Sequence, residues 1–131
     1  MDWDEYIKWG KEAVVWGSEY RKNLRNYPVR SQNKPGETFN SIPSNPPENP
    51  ESIEQIFEDF KKIILPGVTH WQHPRFFAYF PANAAPASVF AEILTNTMGL
   101  QCMLWQTSPS ATELEEKVIE WLRISLDIPE G

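Results

Sequence analysis

The side chains in this sequence that could carry chemistry directly are two histidines, one cysteine, and groups of carboxylates and lysines. His70 and His73 are three residues apart, a spacing that can ligate a metal ion. Zinc sites use three or four protein ligands, however, and Cys102 is the single thiol of the chain. We therefore expect no metal site, and we predict that both imidazole rings hydrogen-bond the backbone within an aromatic cluster.

The acidic and lysine side chains also invite a catalytic interpretation. Four glutamates crowd one predicted helix, mostly on its solvent-facing side: Glu113, Glu115, Glu116 and Glu120. A Schiff-base lysine needs a desolvated or charge-tuned setting that lowers its pKa, and all seven lysines stand in polar or helix-surface contexts. Glycine-rich phosphate loops and the G-x-S-x-G motif are absent from the sequence. We predict no catalytic residue in this chain.

The stretch THWQHPRFFAYFP, residues 69–81, concentrates aromatic side chains in a segment where prolines prevent a long helix. The rings are those of Trp71, Phe76, Phe77, Tyr79 and Phe80. Rings held on a stiff loop suit the wall of a pocket for a flat ligand. The same rings could equally form a hydrophobic plug beneath a loop. The residue types alone leave these two interpretations open.

Composition narrows the class of protein. The chain has 131 residues, a net charge of −6 and only 12 basic residues, so we expect neither a nucleic-acid nor an anionic-membrane partner. Its acidic N-terminus lacks the basic start and apolar run of a signal peptide, and no stretch approaches a membrane span of about 18 residues. One cysteine fits a reducing compartment. We expect a cytoplasmic protein.

Residues 2–26 predict a long helix whose apolar side covers about half of its circumference, more than the ~100° stripe of a surface helix. Gly10 and Gly17 lie on that side, which suggests the close approach of another backbone. Two interpretations are possible: a helix half-sunk in its own core, or a helix shared between its own chain and a partner. We favour the shared helix.

A proline-rich stretch over residues 28–50 predicts a stiff linker. Phe39 and Ile42 are expected to anchor it along a surface. The second helix is then predicted to begin with Asn49 as its cap and Pro50 in its first turn.

Proline and glycine also mark two later helices. The third is predicted over residues 88–98, with Gly99 as its stop, and the fourth opens at Ser108 and Pro109. Between them, residues 102–107 predict a short extended piece. Runs of β-branched strand residues are absent from the sequence, so we expect a mainly α-helical chain.

Two long blocks carry a resemblance to a known family: PGVTHWQHPRFFAYFPANAAPAS and LWQTSPSATELEEKVIEWL. They resemble the N-terminal part of the pyridoxal-phosphate-dependent group II amino-acid decarboxylases, and most of all the aromatic-L-amino-acid decarboxylases. The resemblance covers essentially the whole chain. It implies an α/β aspartate-aminotransferase-like enzyme (PLP fold type I), of which this chain would form the N-terminal helical flap and the start of the large domain.

The resemblance also implies a division of this chain into four parts. Residues 1–27 would be the first helix of a flap swapped between the two subunits of a homodimer, and 28–50 the linker. Residues 51–85 would hold the second flap helix and the aromatic pocket loop. Residues 86–131 would hold the third and fourth helices, leading into the pyridoxal-phosphate domain.

By the same resemblance, the cofactor is pyridoxal 5'-phosphate, an electron sink for the carbanion left by CO₂ loss. Its Schiff-base lysine and the aspartate that pairs with its ring nitrogen would lie beyond the last residue here, in the remainder of the polypeptide. The implied substrate is a small-molecule amino acid, turned into an amine and CO₂. This chain would then contribute no cofactor-binding residue and only positions the substrate.

The resemblance assigns substrate-binding roles to seven positions: Trp71, Tyr79, Phe80, Pro81 and Ala82, with Gln101 and Met103 reaching across the dimer. Many animal members carry a hydroxyl residue where Ala82 stands, and often an aromatic where Met103 stands. Methionine makes a pocket wall more adaptable. Neither change favours a catechol or phenol substrate, so tryptophan, phenylalanine, tyrosine or a related amino acid all stay open.

Two functions of different classes follow. The first is the N-terminal part of a decarboxylase acting on aromatic amino acids. The second is a non-catalytic helical dimerisation or interaction module derived from that family.

Overall fold

Helices are the only regular secondary structure in the structure, a computed structural model that describes residues 2–80 and 85–130. The chain divides into two units, one within residues 1–83 and the other within residues 84–131. The prediction of a mainly α-helical chain is confirmed for the described residues. None of the helices in these ranges has the length and apolar character needed to cross a membrane.

Helix α1 (Trp3–Lys22) begins at Asp2, whose side chain accepts a hydrogen bond from the Glu5 N–H at 2.8 Å. Such a cap satisfies one of the free N–H groups of the first turn. A 3₁₀ turn (Leu24–Asn26) follows the helix, so the predicted helix over residues 2–26 is slightly too long. Leu24 is the one hydrophobic side chain that is buried within the described ranges.

The apolar side of α1 divides into a packed part and an exposed part. The Trp16 ring packs against Phe57 and Phe60, with centroids 6.0 and 5.2 Å away. Trp3 and Ile7 lie on the same helix but are exposed, Trp3 by 76%. Part of the apolar side therefore packs within this unit, and part of it is exposed to solvent.

Gly10 and Gly17 do not meet another backbone in this structure. A Cβ built at either position would have no neighbouring atom within 4 Å. The close approach predicted from these glycines is therefore not made by any residue that the structure describes.

The linker over residues 28–50 is not held in the predicted way. Phe39 is 81% exposed and Ile42 is also exposed, so the prediction that they anchor the linker is wrong. Both lie in or beside a short helix, α2 (Glu37–Ser41), that follows Gly36 in a left-handed conformation. The helix turns the Phe39 side chain outward.

Polar contacts hold the start of the linker instead. The Val29 carbonyl accepts from the His70 N–H at 2.9 Å. Two residues later, the Ser31 N–H donates to Thr69 Oγ1 and the Ser31 hydroxyl donates to the Pro66 carbonyl. The linker is thereby fastened to the segment that leads into the aromatic stretch.

Helix α3 (Ile53–Asp59) begins three residues later than predicted. Its cap is Ser52, whose hydroxyl accepts from the Gln55 N–H at 3.2 Å. Asn49 and Pro50 precede the helix and do not form its first turn, so that prediction is wrong. Ser52 caps the helix instead of Asn49 because it immediately precedes Ile53, the first residue of the apolar repeat.

The helical path continues past α3 with changed geometry. A π-helical stretch (Phe60–Ile64) follows directly, and a 3₁₀ turn (Leu65–Gly67) ends the helical run. π-helical turns inside longer helices are uncommon. The sequence pattern predicts one continuous helix here and does not distinguish these turn types.

The second unit contains two longer helices, α4 (Pro86–Met98) and α5 (Pro109–Ser125). Gly99 ends α4 with φ of 60°, a left-handed conformation that favours glycine, as predicted. The extended piece predicted over residues 102–107 is wrong, because the Leu104 carbonyl accepts from two following N–H groups and closes a turn.

Candidate functional site

The centre of the candidate site is a stacked pair of rings in the first unit. The Trp71 and Tyr79 rings have centroids 5.5 Å apart and planes inclined by 22°. The Phe76 ring lies 4.9 Å from Trp71 at 30°. Tyr79 has φ of 54°, a left-handed conformation that few side chains adopt. This backbone conformation accompanies the stacking of the Tyr79 ring on the Trp71 ring.

These rings face solvent to different degrees. Trp71 is 43% exposed and Tyr79 is 84% exposed. Phe77 and Phe80 are almost completely exposed. A hydrophobic plug would require the rings to be covered, and within this unit they are not. Their exposure in this unit is compatible with a pocket wall, which stays a prediction.

Successive hydrogen bonds fix the loop beneath the rings. The His73 N–H donates to the His70 carbonyl, and the Phe76 N–H donates to the His73 carbonyl, both at 2.9 Å. The ring of His73 is buried, and its Nδ1 accepts from the Arg75 N–H at 3.0 Å. The predicted backbone hydrogen bond is therefore confirmed for His73.

His70 is the most buried polar residue described, with 2% of its surface exposed. Its Nδ1 lies 2.7 Å from the Tyr20 hydroxyl, and the Tyr27 ring packs 4.8 Å from its centroid. The predicted backbone partner of the His70 ring is thus wrong at Nδ1, where the partner is a side chain from the end of α1. The aromatic cluster predicted around the ring is confirmed.

Burial disfavours the charged forms of both His70 and Tyr20. It lowers the pKa of His70, and the nearby His73 adds to the effect. It raises the pKa of Tyr20, with Tyr27 adding in the same direction and Arg21 opposing. A neutral imidazole and a protonated phenol can share one hydrogen bond without any buried charge.

Two of the four glutamates of α5, Glu113 and Glu120, have structural partners. Glu113 Oε1 accepts from the indole N–H of Trp105 at 2.9 Å. Glu120 pairs with Arg123 at 2.6 Å, and this hydrogen bond lowers the pKa of Glu120. Within the described ranges, no three histidine, cysteine or acidic side chains are grouped so that they could hold a metal ion.

A pyridoxal cofactor requires a lysine in a desolvated setting, and the lysines here do not offer one. Lys61 is the least exposed, and it pairs with Glu58 at the surface of α3. The other six are exposed: Lys8, Lys11, Lys22, Lys34, Lys62 and Lys117. The residues of this chain therefore do not fit the role of cofactor anchor.

The remaining predicted site residues are Phe80, two residues of the second unit, and two residues that the structure does not describe. Phe80 is fully exposed beside the Trp71–Tyr79 pair. Gln101 and Met103 belong to the second unit and are exposed. Pro81 and Ala82 lie outside the described residues.

Two residues of the site were not found by sequence reasoning. Tyr20 and Tyr27 enclose His70, yet nothing in the sequence links them to a residue more than forty positions away. The one available signal was the position of Tyr20 on the apolar side of the first helix.

Comparison with known proteins gives one consistent family. Residues 35–131 match the pyridoxal-dependent decarboxylase conserved domain. A tyrosine decarboxylase of Papaver somniferum is 42% identical over 131 residues, which is 100% of this chain and 26% of that protein. A phenylacetaldehyde synthase of Arabidopsis thaliana is 40% identical over 99% of this chain and 26% of its own length.

Solved structures agree with the sequence relatives. The structure of Catharanthus roseus tryptophan decarboxylase in complex with L-tryptophan superposes with a TM-score of 0.91 at 36% identity. That match covers 98% of this chain and 28% of the tryptophan decarboxylase. The chain thus spans about a quarter of the length of the proteins it matches.

Proposed function

We propose that this chain, which belongs to the pyridoxal-dependent decarboxylase family, acts as the N-terminal part of an aromatic L-amino-acid decarboxylase. The observation that carries the proposal is the solvent-facing stack of Trp71 on Tyr79, fixed on a hydrogen-bonded loop. The reaction would release CO₂ and an amine from the amino acid.

The physical basis is the fit between stacked rings and a flat side chain. A ring contact contributes about 0.5–1.5 kcal/mol beyond the burial of its area. That range corresponds to roughly 2- to 12-fold in affinity per contact. Trp71 and Tyr79 together would favour an aromatic over an aliphatic amino acid by about one to two orders of magnitude if the substrate contacts both.

The cofactor in this proposal is pyridoxal 5'-phosphate, the group that defines the family. Because no lysine of the described ranges fits the anchoring role, this chain's contribution is to bind and orient the substrate. Substrate contacts are proposed for Phe80, Pro81 and Ala82 beside the stacked pair. Gln101 and Met103 are proposed to contact substrate across a dimer interface.

The proposal includes a homodimer with swapped N-terminal helices. The exposed apolar residues of α1, such as Trp3, Ile7 and Val15, supply a surface of the kind that a second subunit buries. A cytoplasmic location also belongs to the proposal, because the exposed free thiol of Cys102 suits a reducing compartment.

The test is a substrate panel on the full-length polypeptide that carries this chain, with added pyridoxal 5'-phosphate. We expect tryptophan, phenylalanine or tyrosine to be turned over fastest, followed as CO₂ release. Fastest turnover of glutamate or of an aliphatic amino acid would contradict the proposal. The product should also be identified, because the Arabidopsis relative is named a phenylacetaldehyde synthase. An aldehyde product in place of the amine would assign aldehyde synthesis to this protein.

Paired variants connect the activity to the stacked rings. We expect Trp71→Ala to lower kcat/KM for the preferred aromatic substrate by about tenfold or more, from the loss of ring contacts. Phe39→Ala is the control, since Phe39 is also an exposed aromatic residue of the same unit but lies outside the aromatic loop. Equal effects of Trp71→Ala and Phe39→Ala on kcat/KM would contradict a role of the Trp71–Tyr79 stack in substrate binding. A stable dimer without turnover of any amino acid would instead indicate the helical interaction module.

A further inference from the structure

One hydrogen bond links the end of helix α1 to the residue that precedes Trp71. The Tyr20 hydroxyl lies 2.7 Å from Nδ1 of the buried His70. The Tyr20 ring is itself held by a parallel stack on Trp16, with centroids 5.3 Å apart and planes inclined by 13°. Tyr20 therefore presents its hydroxyl to His70 from a fixed position.

His70 is in turn the point from which the aromatic loop starts. Its N–H donates to the Val29 carbonyl, and its carbonyl accepts from the His73 N–H. Trp71 follows it directly, and the Trp71 N–H donates to the Thr69 carbonyl at 3.0 Å. A displacement of the His70 backbone would therefore also move Trp71, the next residue of the chain.

We propose that Tyr20 is a positioning residue for substrate binding, which acts through His70 to hold Trp71 in its stack with Tyr79. This inference rests on the proposed function, because Trp71 is taken as a substrate contact. Tyr20 itself would not touch the substrate. Its hydroxyl would orient the imidazole, and the loop from His70 onward would keep the indole in place before the substrate arrives.

The structure supplies a matched pair of variants. Tyr20→Phe removes only the hydroxyl and keeps the ring that stacks on Trp16. Tyr27→Phe removes the hydroxyl of a second tyrosine whose ring packs on the same His70, and for that hydroxyl no hydrogen bond is seen to any described residue. A general effect of losing a tyrosine hydroxyl beside His70 would appear in both variants.

The first measurement is hydrogen–deuterium exchange on the full-length polypeptide. In Tyr20→Phe we expect the amides of His70, His73 and Phe76 to exchange about fivefold faster, as for the loss of one hydrogen bond. In Tyr27→Phe we expect these amides to stay within about twofold of the parent. Equal protection in the two variants would overturn the proposal.

The second measurement separates positioning from general stability. We expect Tyr20→Phe to raise KM for the aromatic substrate about fivefold with kcat nearly unchanged. The reason is that the Trp71 ring would bind the substrate equally in the ground state and the transition state. In a Trp71→Ala background, the same change should leave KM within about twofold. A Tyr20→Phe effect that persists undiminished without Trp71 would overturn the proposal.

The proposed function and the positioning role of Tyr20 can be contradicted independently. An absence of aromatic amino-acid turnover would contradict the proposed function, while the exchange rates at His70, His73 and Phe76 would still decide whether Tyr20 positions the loop. Normal turnover with unchanged exchange and KM in Tyr20→Phe would contradict only the positioning role.

Discussion

Two tryptophans on α1 allow the two sides of that helix to be tested with the same substitution. Trp16 packs within its unit, and Trp3 is 76% exposed. Replacing either with alanine removes the same side chain, so a large difference between the variants reports mainly their surroundings. If α1 serves both its own unit and a partner, Trp16→Ala should destabilise the unit and Trp3→Ala should weaken association.

The expected size follows from the ring contacts. Trp16 contacts Tyr20, Phe57 and Phe60, with centroids 5.3, 6.0 and 5.2 Å away. Three contacts at about 0.5–1.5 kcal/mol each give roughly 1.5–4.5 kcal/mol, which overlaps the lower part of the ~3–5 kcal/mol found for fully buried tryptophans changed to alanine. The ring contact of Trp3 is with Tyr6 at 5.6 Å. We expect its loss to lower the free energy of unfolding of the unit by about 1 kcal/mol or less.

Hydrogen exchange of the α3 amides is the assay for the packed side, because it reports the local opening free energy. A loss of about 3 kcal/mol in Trp16→Ala predicts roughly a hundredfold faster exchange in α3. Sedimentation of the full-length polypeptide is the assay for the exposed side. We expect Trp3→Ala to raise the dimer dissociation constant by about tenfold or more, as for an interface tryptophan.

Equal acceleration of α3 exchange in the two variants would show that packing around Trp16 does not hold α3. Unchanged association in Trp3→Ala would leave α1 as a helix that serves only its own unit, which is the alternative weighed from the sequence.

Three further predictions concern the pH dependence of stability and two glycines. Because burial lowers the pKa of His70 and the nearby His73 adds to the effect, the unfolded chain binds more protons than the folded one just below pH ~6.5. The stability due to a neutral His70 should be complete above that pH and be lost as the pH falls through the lowered value, and His70→Asn should flatten this dependence in urea midpoints. At Gly67 an added Cβ would lie 2.8 Å from Thr38 Oγ1, so Gly67→Ala should destabilise by about 1 kcal/mol or more. At Gly10 the added methyl group meets open space in α1, so Gly10→Ala should stabilise by about 0.5–1 kcal/mol unless a partner backbone packs there. Thermal unfolding measures both glycine variants.

Helix ends were predictable where one residue alone determines the backbone. Gly99 stops α4 because its left-handed conformation suits a residue without Cβ, and Pro109 opens α5 because its missing N–H needs no partner there. The start of α3 was mispredicted because two caps compete within four residues. Ser52 followed by Gln55 three positions later is the better pattern, since it adjoins the apolar repeat.

The candidate site was predictable in its residue types but not in its geometry. Trp71 and Tyr79 stood out because aromatics crowd a proline-bounded loop. Their stack depends on the positive φ of Tyr79, which no local pattern indicates. The contact between Tyr20 and His70 joins positions 50 residues apart. A long-range contact of this kind depends on the packing of α1 and cannot be obtained from periodicity.

Apolar periodicity reports that a helix face will be covered, but it does not report what covers it. Helical spacing places Leu114, Trp121 and Leu122 on one side of α5, and all three are exposed. Leu24 is the one hydrophobic side chain buried in the ranges that the structure describes. Faces with this spacing lower the free energy only when another surface removes them from water. The proposed enzyme accounts for them, because it would cover these faces with the remainder of the polypeptide and a second subunit. The same reasoning explains why the aromatic stack is exposed: in the proposal, its cover is the substrate.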